Sequence, residues 1–208
     1  MPTATFFRLP EEKRKRLIDA CWSEMTRVRF TDASINRIIT AARIPRGSFY
    51  QYFEDKEDLI RYLLEDMREY FVSLLRNILI EARGDLFALP LAAYDRFIGQ
   101  RGHTDPMLSL FLKLLRLNQG MDLQNFMGGP EQFLPDELWE AVDTVKLRRG
   151  SREYADQVFH LSCAVLAFAI VETLHDPAQT TQIREMTQIR MDLLRYGGAA
   201  EGYKEEPT

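Results

Sequence analysis

From Lys56 to Ala82 the chain runs without Gly or Pro, with apolar side chains at Leu59, Ile60, Leu63, Leu64, Met67, Phe71, Leu74, Leu75, Ile78, Leu79 and Ala82. That period predicts one amphipathic helix of about 27 residues, roughly 40 Å long at 1.5 Å per residue, ended by Gly84-Asp85. A helix this long must bury its apolar stripe against other elements, and no stretch of the chain alternates apolar and polar residues as a half-buried strand would. The expected fold is therefore all-α. Its 208 residues, 46% hydrophobic, supply an ample core.

Just before the long helix, Ser34 to Leu59 reads SINRIITAARIPRGSFYQYFEDKEDL. Ser34 stands at an N-cap position, and Ile35, Ile38, Ile39 and Ala42 follow at helical spacing, with Asn36 and Arg37 on the polar face. Pro45 suits the opening of a second short helix through Phe53, because its missing N–H would be unpaired there and its fixed φ fits the first turn. Asp55 then offers the next N-cap, with Asp58 three residues on as its capping-box partner. Two short helices joined by a tight turn make a helix-turn-helix, whose second helix usually enters the major groove.

The second helix carries groups suited to that role. Gly47 permits close backbone approach, while Arg46, Ser48, Tyr50, Gln51 and Tyr52 supply hydrogen-bonding groups within about two turns; Phe49 and Phe53 would anchor it inside. The plainer alternative is an αα corner whose tyrosines only cover apolar surface.

These residues resemble the TetR family of bacterial regulators. The family pattern is Thr or Ser followed by Val or Ile, then I-A-x-x-A-G-V-S, x-G-x-(L/F)-Y-x-(Y/H)-F and x-x-K-E-x-L. It is met by Ser34-Ile35, Ile38, Ala42, Ile44, Gly47, Phe49-Tyr50, Tyr52-Phe53, Lys56-Glu57 and Leu59. Upstream, Ala20-Cys21 and Met25 fall where the family's first helix has two small residues and a large apolar one. The resemblance covers roughly residues 10 to 65. It departs at Arg29 and Arg43, each in place of a glycine, and at Pro45, where a Ser or Thr usually caps the reading helix. A left-handed Arg43 would cost about 1–2 kcal/mol, which a packed domain can absorb.

The resemblance implies a three-helix helix-turn-helix domain over residues 1–55 and a larger helical effector-binding and dimerisation domain over 56–196. Residues 197–208 read as a disordered tail. The partner it implies is double-stranded operator DNA with two-fold related half-sites. Ser34, Asn36, Arg37, Pro45, Gly47, Ser48 and Tyr52 belong to the expected contact surface. By resemblance Lys56 and Tyr50 contact phosphate, whereas Arg46 and Gln51 are the better candidates for base edges.

Charge supports one DNA-facing end. Net charge is −4, but residues 1–56 hold 11 Lys or Arg against 7 Asp or Glu, leaving 16 against 24 for the rest. Within Lys13 to Arg16, a phosphate contact and an ordinary solvated face weigh equally. Residues 1–9 read as a loose arm whose Phe6, Phe7 and Leu9 can fold back on the small domain. No charged leader with an apolar run opens the sequence, so the expected site of action is the cytoplasm, with no membrane partner.

No catalytic constellation, cofactor motif or metal pattern emerges. His160 and His175 lie roughly 22 Å apart along one helix, His103 is isolated, and Cys21 and Cys163 sit in apolar helical patterns as small hydrophobes. A non-enzymatic regulator is the expectation.

The remaining chain predicts helices over Leu86–Gln100, Asp105–Asn118, Pro135–Lys146, Ser151–His175 and Ala178–Tyr196, with a looser stretch at 120–135. The run Cys163 to Val171 is apolar on every side, too short to span a membrane, and needs cover on every side. One face can pack at home and the other against a second copy, with Ala164, Ala167 and Ala169 allowing close approach. In the TetR family the last two helices form a four-helix bundle across the two-fold. The expected dimer face is therefore Ala164, Ala167, Phe168, Val171, Ile183, Met186 and Ile189. Candidate lining for a small apolar effector is Phe71, Phe97, Phe111, Leu115, Phe126, Phe133, Trp139, Phe159 and Cys163, although aromatics at helical spacing more often form core. The expected function is a ligand-responsive dimeric repressor released from DNA by that effector. Its alternative is an effector-independent DNA-binding or adaptor protein whose larger domain only dimerises or docks a partner.

Overall fold

The computed structural model describes residues 1–99, 104–118 and 132–197. In chain order the helices are α1 (Ala4–Phe7), α2 (Glu11–Met25), α3 (Ile35–Ala42), α4 (Arg46–Tyr52), α5 (Lys56–Glu81), α6 (Leu89–Ile98) and α7 (Pro106–Leu117). They continue as α8 (Asp136–Trp139), α9 (Arg152–His175) and α10 (Thr180–Tyr196). Among the described residues there is no strand, and the protein is all-α. Two compact units result: Met1–Phe71 with Pro106–Phe126, and Val72–Asp105 with Met127–Thr208. The stretch 120–131, Phe126 and His103 lie outside the described residues, as does the tail beyond Gly197.

In the first unit α2, α3 and α4 surround a core of Leu17, Cys21, Met25, Ile38, Ala42, Phe49 and Phe53, joined by Leu59, Leu63 and Met67 of α5. Pro10 is the N-cap residue of α2, and Glu11 and Glu12 occupy the first turn, where the helix dipole favours anions. Residues 1–9 fold back on the small domain as expected, through Phe6, but with an ordered helical turn at Ala4–Phe7 rather than as a loose arm. Phe6 is fully buried, its ring centroid 5.1 Å from both Phe53 and Tyr62. The Thr3 N–H donates to the Tyr52 carbonyl at 2.9 Å, and the α-amino group pairs with Asp58. A buried Phe removes about 150–250 Å² from water, enough to order a single helical turn.

In the second unit α9 packs on α6 and α10. Ser151 caps α9 by accepting the Tyr154 N–H at 3.3 Å. Tyr94 of α6 and Thr173 of α9 share a buried hydroxyl–hydroxyl bond of 2.6 Å. By length and composition alone the 24-residue α9 is apolar enough to cross a membrane, although its unbroken apolar run Cys163 to Val171 is too short to do so. Its stripe Ala155, Phe159, Leu166, Ala169 and Ile170 is nevertheless buried in its own unit, as in a core helix.

The expected helix over Pro135–Lys146 is instead the four-residue α8 and a 3₁₀ turn at Thr144–Lys146. These residues serve the end of α5. Arg83 and Gly84 take φ of 53° and 74°, the Gly84 N–H donates to the Leu79 carbonyl at 2.8 Å, and the Asp143 N–H donates to the Gly84 carbonyl at 2.9 Å. The Lys146 ammonium donates to the Arg83 carbonyl at 2.6 Å. Covering carbonyls that the long helix leaves unpaired takes precedence over extending α8.

Candidate nucleic-acid interface

The turn between α3 and α4 is made without glycine. Arg43 sits at φ 54°, ψ 49°, the left-handed position that glycine ordinarily fills. The Ile44 N–H donates to Ile39 O at 3.0 Å and the Arg43 N–H to Thr40 O at 3.2 Å, the two bonds of a Schellman cap, with Ile39 and Ile44 both buried beside it. Arg16 of α2 donates through Nε to the Ala42 carbonyl at 2.8 Å. One member of the Lys13–Arg16 run is thereby a structural clamp on the turn rather than a solvated charge.

Past the turn, Pro45 occupies the N-cap with ψ 147°, and the Ser48 N–H donates to its carbonyl at 3.0 Å. Phe49 and Phe53 point inward, their rings 5.6 Å apart, so the opposite face of α4 turns outward. That face carries Arg46, Gln51 and half-exposed Tyr50, with Ser48 at its margin. A Cβ built on Gly47 would meet nothing within 4 Å, so this side is open to close approach. Tyr52 turns inward: it is 3% exposed, tilted against Phe6 with ring centroids 6.5 Å apart, and presents no side chain to a duplex.

On α3, Asn36 and Arg37 are exposed, and the Arg46 Nη1 donates to Asn36 Oδ1 at 2.7 Å across the two helices. Ser34 stands at the N-cap, but its hydroxyl makes no capping bond there. Its backbone N–H donates instead to Glu24 Oε1 at 3.0 Å. Lys56 begins α5 and donates through Nζ to Thr31 O at 2.8 Å, one of its three N–H donors. Asp55 accepts the Asp58 N–H at 2.6 Å as expected of an N-cap.

Two buried carboxylates organise this surface without reaching it. Glu24 is 5% exposed. Burial pushes its pKa up, but the Arg27 guanidinium, the Ser34 N–H and the charge of Arg37 outweigh burial and hold it below the ordinary value. Asp58 behaves likewise: burial raises it, while the α-amino group, the Glu54 N–H and Arg61 bring it lower. Sequence reasoning missed Glu24 and gave Asp58 only the role of capping-box partner to Asp55. The available signal was an acid among apolar positions, Glu24 lying between Cys21 and Met25, since such an acid must find partners. Burial pushes the Cys21 and Cys163 thiols up to about 12, which removes thiolate reactivity.

Of the expected dimer residues, Ala164, Ala167, Phe168, Val171, Met186 and Ile189 are exposed on α9 and α10, joined by Leu161 and Leu193. Ile183 faces the other way and is buried in its own unit, as is Ala169. Arg190 crosses this apolar face, its guanidinium 4.6 Å above the Phe168 ring and 2.9 Å from Glu172. The proposed effector lining does not gather in one unit. Phe71, Phe111 and Leu115 belong to the first, with Phe71 and Phe111 in ring contact at 5.4 Å, whereas Phe97, Phe133, Trp139, Phe159 and Cys163 belong to the second. There Phe133 packs on Phe159 at 5.6 Å and stacks on His160 at 4.6 Å.

Residues 17–63 match the family model of bacterial regulatory proteins, tetR family. The transcriptional regulator AcuR of Cereibacter sphaeroides is 35% identical over 65 residues, 31% of this chain and 30% of AcuR. The uncharacterized HTH-type transcriptional regulator YdgC of Bacillus subtilis is 34% identical over 70 residues, 34% of this chain and 36% of YdgC. The match thus spans about a third of each of these curated relatives. Whole-chain likeness appears among solved structures. A TetR family regulator from Chloroflexus aurantiacus has TM-score 0.50 and 24% identity, covering 95% of this chain and 98% of that one. NemR of E. coli in its reduced form has TM-score 0.55 and 20% identity, covering 90% and 100%. FadR of Bacillus subtilis, solved with stearoyl-CoA, has TM-score 0.50 and 18% identity, covering 89% and 99%. The motif at 34–59, the left-handed turn at Arg43 and the family match together identify a helix-turn-helix of the tetR type at residues 17–63, on a chain that shares its overall fold with solved TetR family regulators.

Proposed function

We propose that the protein is a dimeric, ligand-responsive repressor acting in the cytoplasm, with no catalytic activity of its own. The observation that carries the DNA half of this reading is the outward face of α4, where Arg46 and Gln51 stand beside the open side of Gly47, with Lys56 at the start of the next helix. Arginine and glutamine match the major-groove edges of guanine and adenine, and a lysine at a helix N-terminus suits phosphate. The exposed apolar strip from Leu161 to Val171 and from Met186 to Leu193 supports a two-fold dimer, which would present two α4 helices to two half-sites.

Effector response is supported by the architecture. A protein of this fold has been solved with an acyl-CoA thioester, and α5 supplies residues to both compact units, so it can transmit a change between two arrangements of the reading helices. On this reading effector and operator bind antagonistically, and linkage makes the antagonism reciprocal, by roughly 1–3 kcal/mol.

A second reading, an effector-independent DNA-binding or adaptor protein, is favoured by the mutual packing of Phe71 with Phe111 and of Phe133 with Phe159, which is how core aromatics behave. Selection and sequencing of bound genomic fragments tests the DNA half. A thermal-shift screen with acyl thioesters and other apolar compounds separates the two readings, because a ligand specific for the native state must raise the midpoint. An effector that raises the midpoint and leaves operator affinity unchanged would sink the repressor mechanism.

A further inference from the structure

We propose that Asn36 determines sequence specificity indirectly, by holding the guanidinium of Arg46 in its reading orientation. This rests on the reading of α4 as the base-contacting helix. Arg46 is the first residue of α4 and Asn36 the second of α3, so their 2.7 Å bond spans the helix-turn-helix. Both side chains are exposed on the side expected to meet DNA. An arginine there would otherwise sample many rotamers, and ordering it on binding would oppose the contact it makes.

The chemistry of the pair fixes the geometry. A guanidinium only donates, so the Asn36 atom facing it must be the oxygen, and the amide nitrogen lies on the other side. Of the five N–H donors of Arg46, the bond to Asn36 uses one on Nη1. The Nε and Nη2 edge stays intact, and that fork pairs in bidentate fashion with guanine O6 and N7. Asn36 itself is a poor direct reader. Asparagine recognises adenine by accepting and donating at once, and its acceptor already carries a charge-assisted bond.

The backbone supports the same assignment. Asn36 sits in the first turn of α3, where its carbonyl accepts the Thr40 hydroxyl at 2.7 Å. That helix is itself fixed through the Ser34 N–H on buried Glu24, so the acceptor offered to Arg46 stands on a held element rather than a loop.

The test uses the full-length protein and a library of randomised duplexes, bound, recovered and sequenced. Wild type, Asn36→Ala, Arg46→Ala, the double variant and Asn36→Asp go in parallel, each checked for an unchanged melting transition. Arg46→Ala is expected to lose preference at one base pair per half-site. Asn36→Ala should weaken preference at that same base pair by about three- to tenfold, the worth of one net hydrogen bond. The double variant should be no worse than Arg46→Ala. Asn36→Asp keeps the acceptor, so it should retain the base preference while binding all sequences less tightly, its added negative charge facing phosphate. A change at a different base pair in Asn36→Ala, or multiplication of the two effects in the double variant, would overturn the coupling and leave Arg46 as a reader. If wild type enriches a motif that Arg46→Ala leaves intact, Arg46 reads no base and the proposal falls with it. A wild type that enriches no motif would instead overturn the reading of α4 on which the proposal rests.

Discussion

The side-chain oxygen of Asn118, one residue past the end of α7, accepts the backbone N–H of Phe30 at 2.9 Å, while its nitrogen donates to the Leu114 carbonyl at 3.0 Å. Asn118 thereby staples α7 to the 3₁₀ turn Phe30–Asp32, the turn whose Thr31 carbonyl receives Lys56. Asn118→Ala leaves a partly buried N–H without its acceptor and is expected to cost about 1–2 kcal/mol. Urea unfolding followed by circular dichroism measures this, and Asn118→Asp, which keeps the acceptor, should recover most of it. An unchanged midpoint in the alanine variant would mean that water replaces the bond at no loss.

Arg43→Gly should stabilise the protein by about 1 kcal/mol, because the left-handed backbone at φ 54° opposes a side chain more than it opposes glycine. Gly84→Ala should do the opposite and destabilise by more than 2 kcal/mol. An alanine there must adopt φ 74° and place its Cβ 2.8 Å from the Ala141 carbonyl oxygen, a collision with backbone. Thermal melts of the two variants should move in opposite directions.

Acid should weaken the first unit through Glu24. Its folded pKa lies below the ordinary 4.5, so its contribution is complete above the unfolded value and is lost as pH falls through the folded one, in the range below about 4.5. Glu24→Gln should be less stable than wild type at pH 7 by about 1.5–3 kcal/mol, the worth of hydrogen bonds to a charged group. The gap should narrow as pH drops below 4.5. A gap that stays constant down to pH 3 would show that Glu24 is not the group titrating.

Lys56→Ala should weaken binding to every duplex alike and reduce the slope of log K against log salt by about one, as loss of one phosphate contact does. Fluorescence titrations at several salt concentrations, on a selected sequence and its scramble, decide this. Discrimination that changes with Lys56 would place it at a base rather than on the backbone.

Ala167→Glu introduces a charge amid Ala164, Phe168 and Val171 on the exposed side of α9. If that face meets its two-fold mate, like charges are buried without partners and the dimer weakens by about 3–5 kcal/mol. Sedimentation of wild type and variant reads it directly, and an intact dimer in the variant would move the interface elsewhere.

Helix positions were legible in the sequence where a local signal had no rival. Pro45 before Arg46, Ser151 before Arg152 and the Gly-free run after Lys56 each mark an observed boundary within a residue. Arg43 was readable as left-handed only because the resemblance put a glycine there. What remained hidden depends on partners far along the chain. Nothing near Asp143 announces that its N–H will close on Gly84, and nothing near Arg16 announces Ala42. Tyr52 illustrates the same limit within the candidate site. Its place on α4 suggested a DNA-facing hydroxyl, but Phe6, 46 residues earlier, joins the aromatic cluster that takes the ring inward.

With Tyr52 withdrawn, the seven residues of α4 offer a duplex little more than Arg46, Ser48, Tyr50 and Gln51. A helix with so few readers distinguishes about four base pairs, and a four-letter word recurs by chance about once in 256 base pairs of random sequence. Two such words at one fixed spacing recur about once in 65,000, closer to the spacing of addresses in a bacterial chromosome. On the proposed reading, the shortness of α4 makes pairing of chains a matter of information as much as of affinity: one copy would recognise DNA, but only two would specify a place on it.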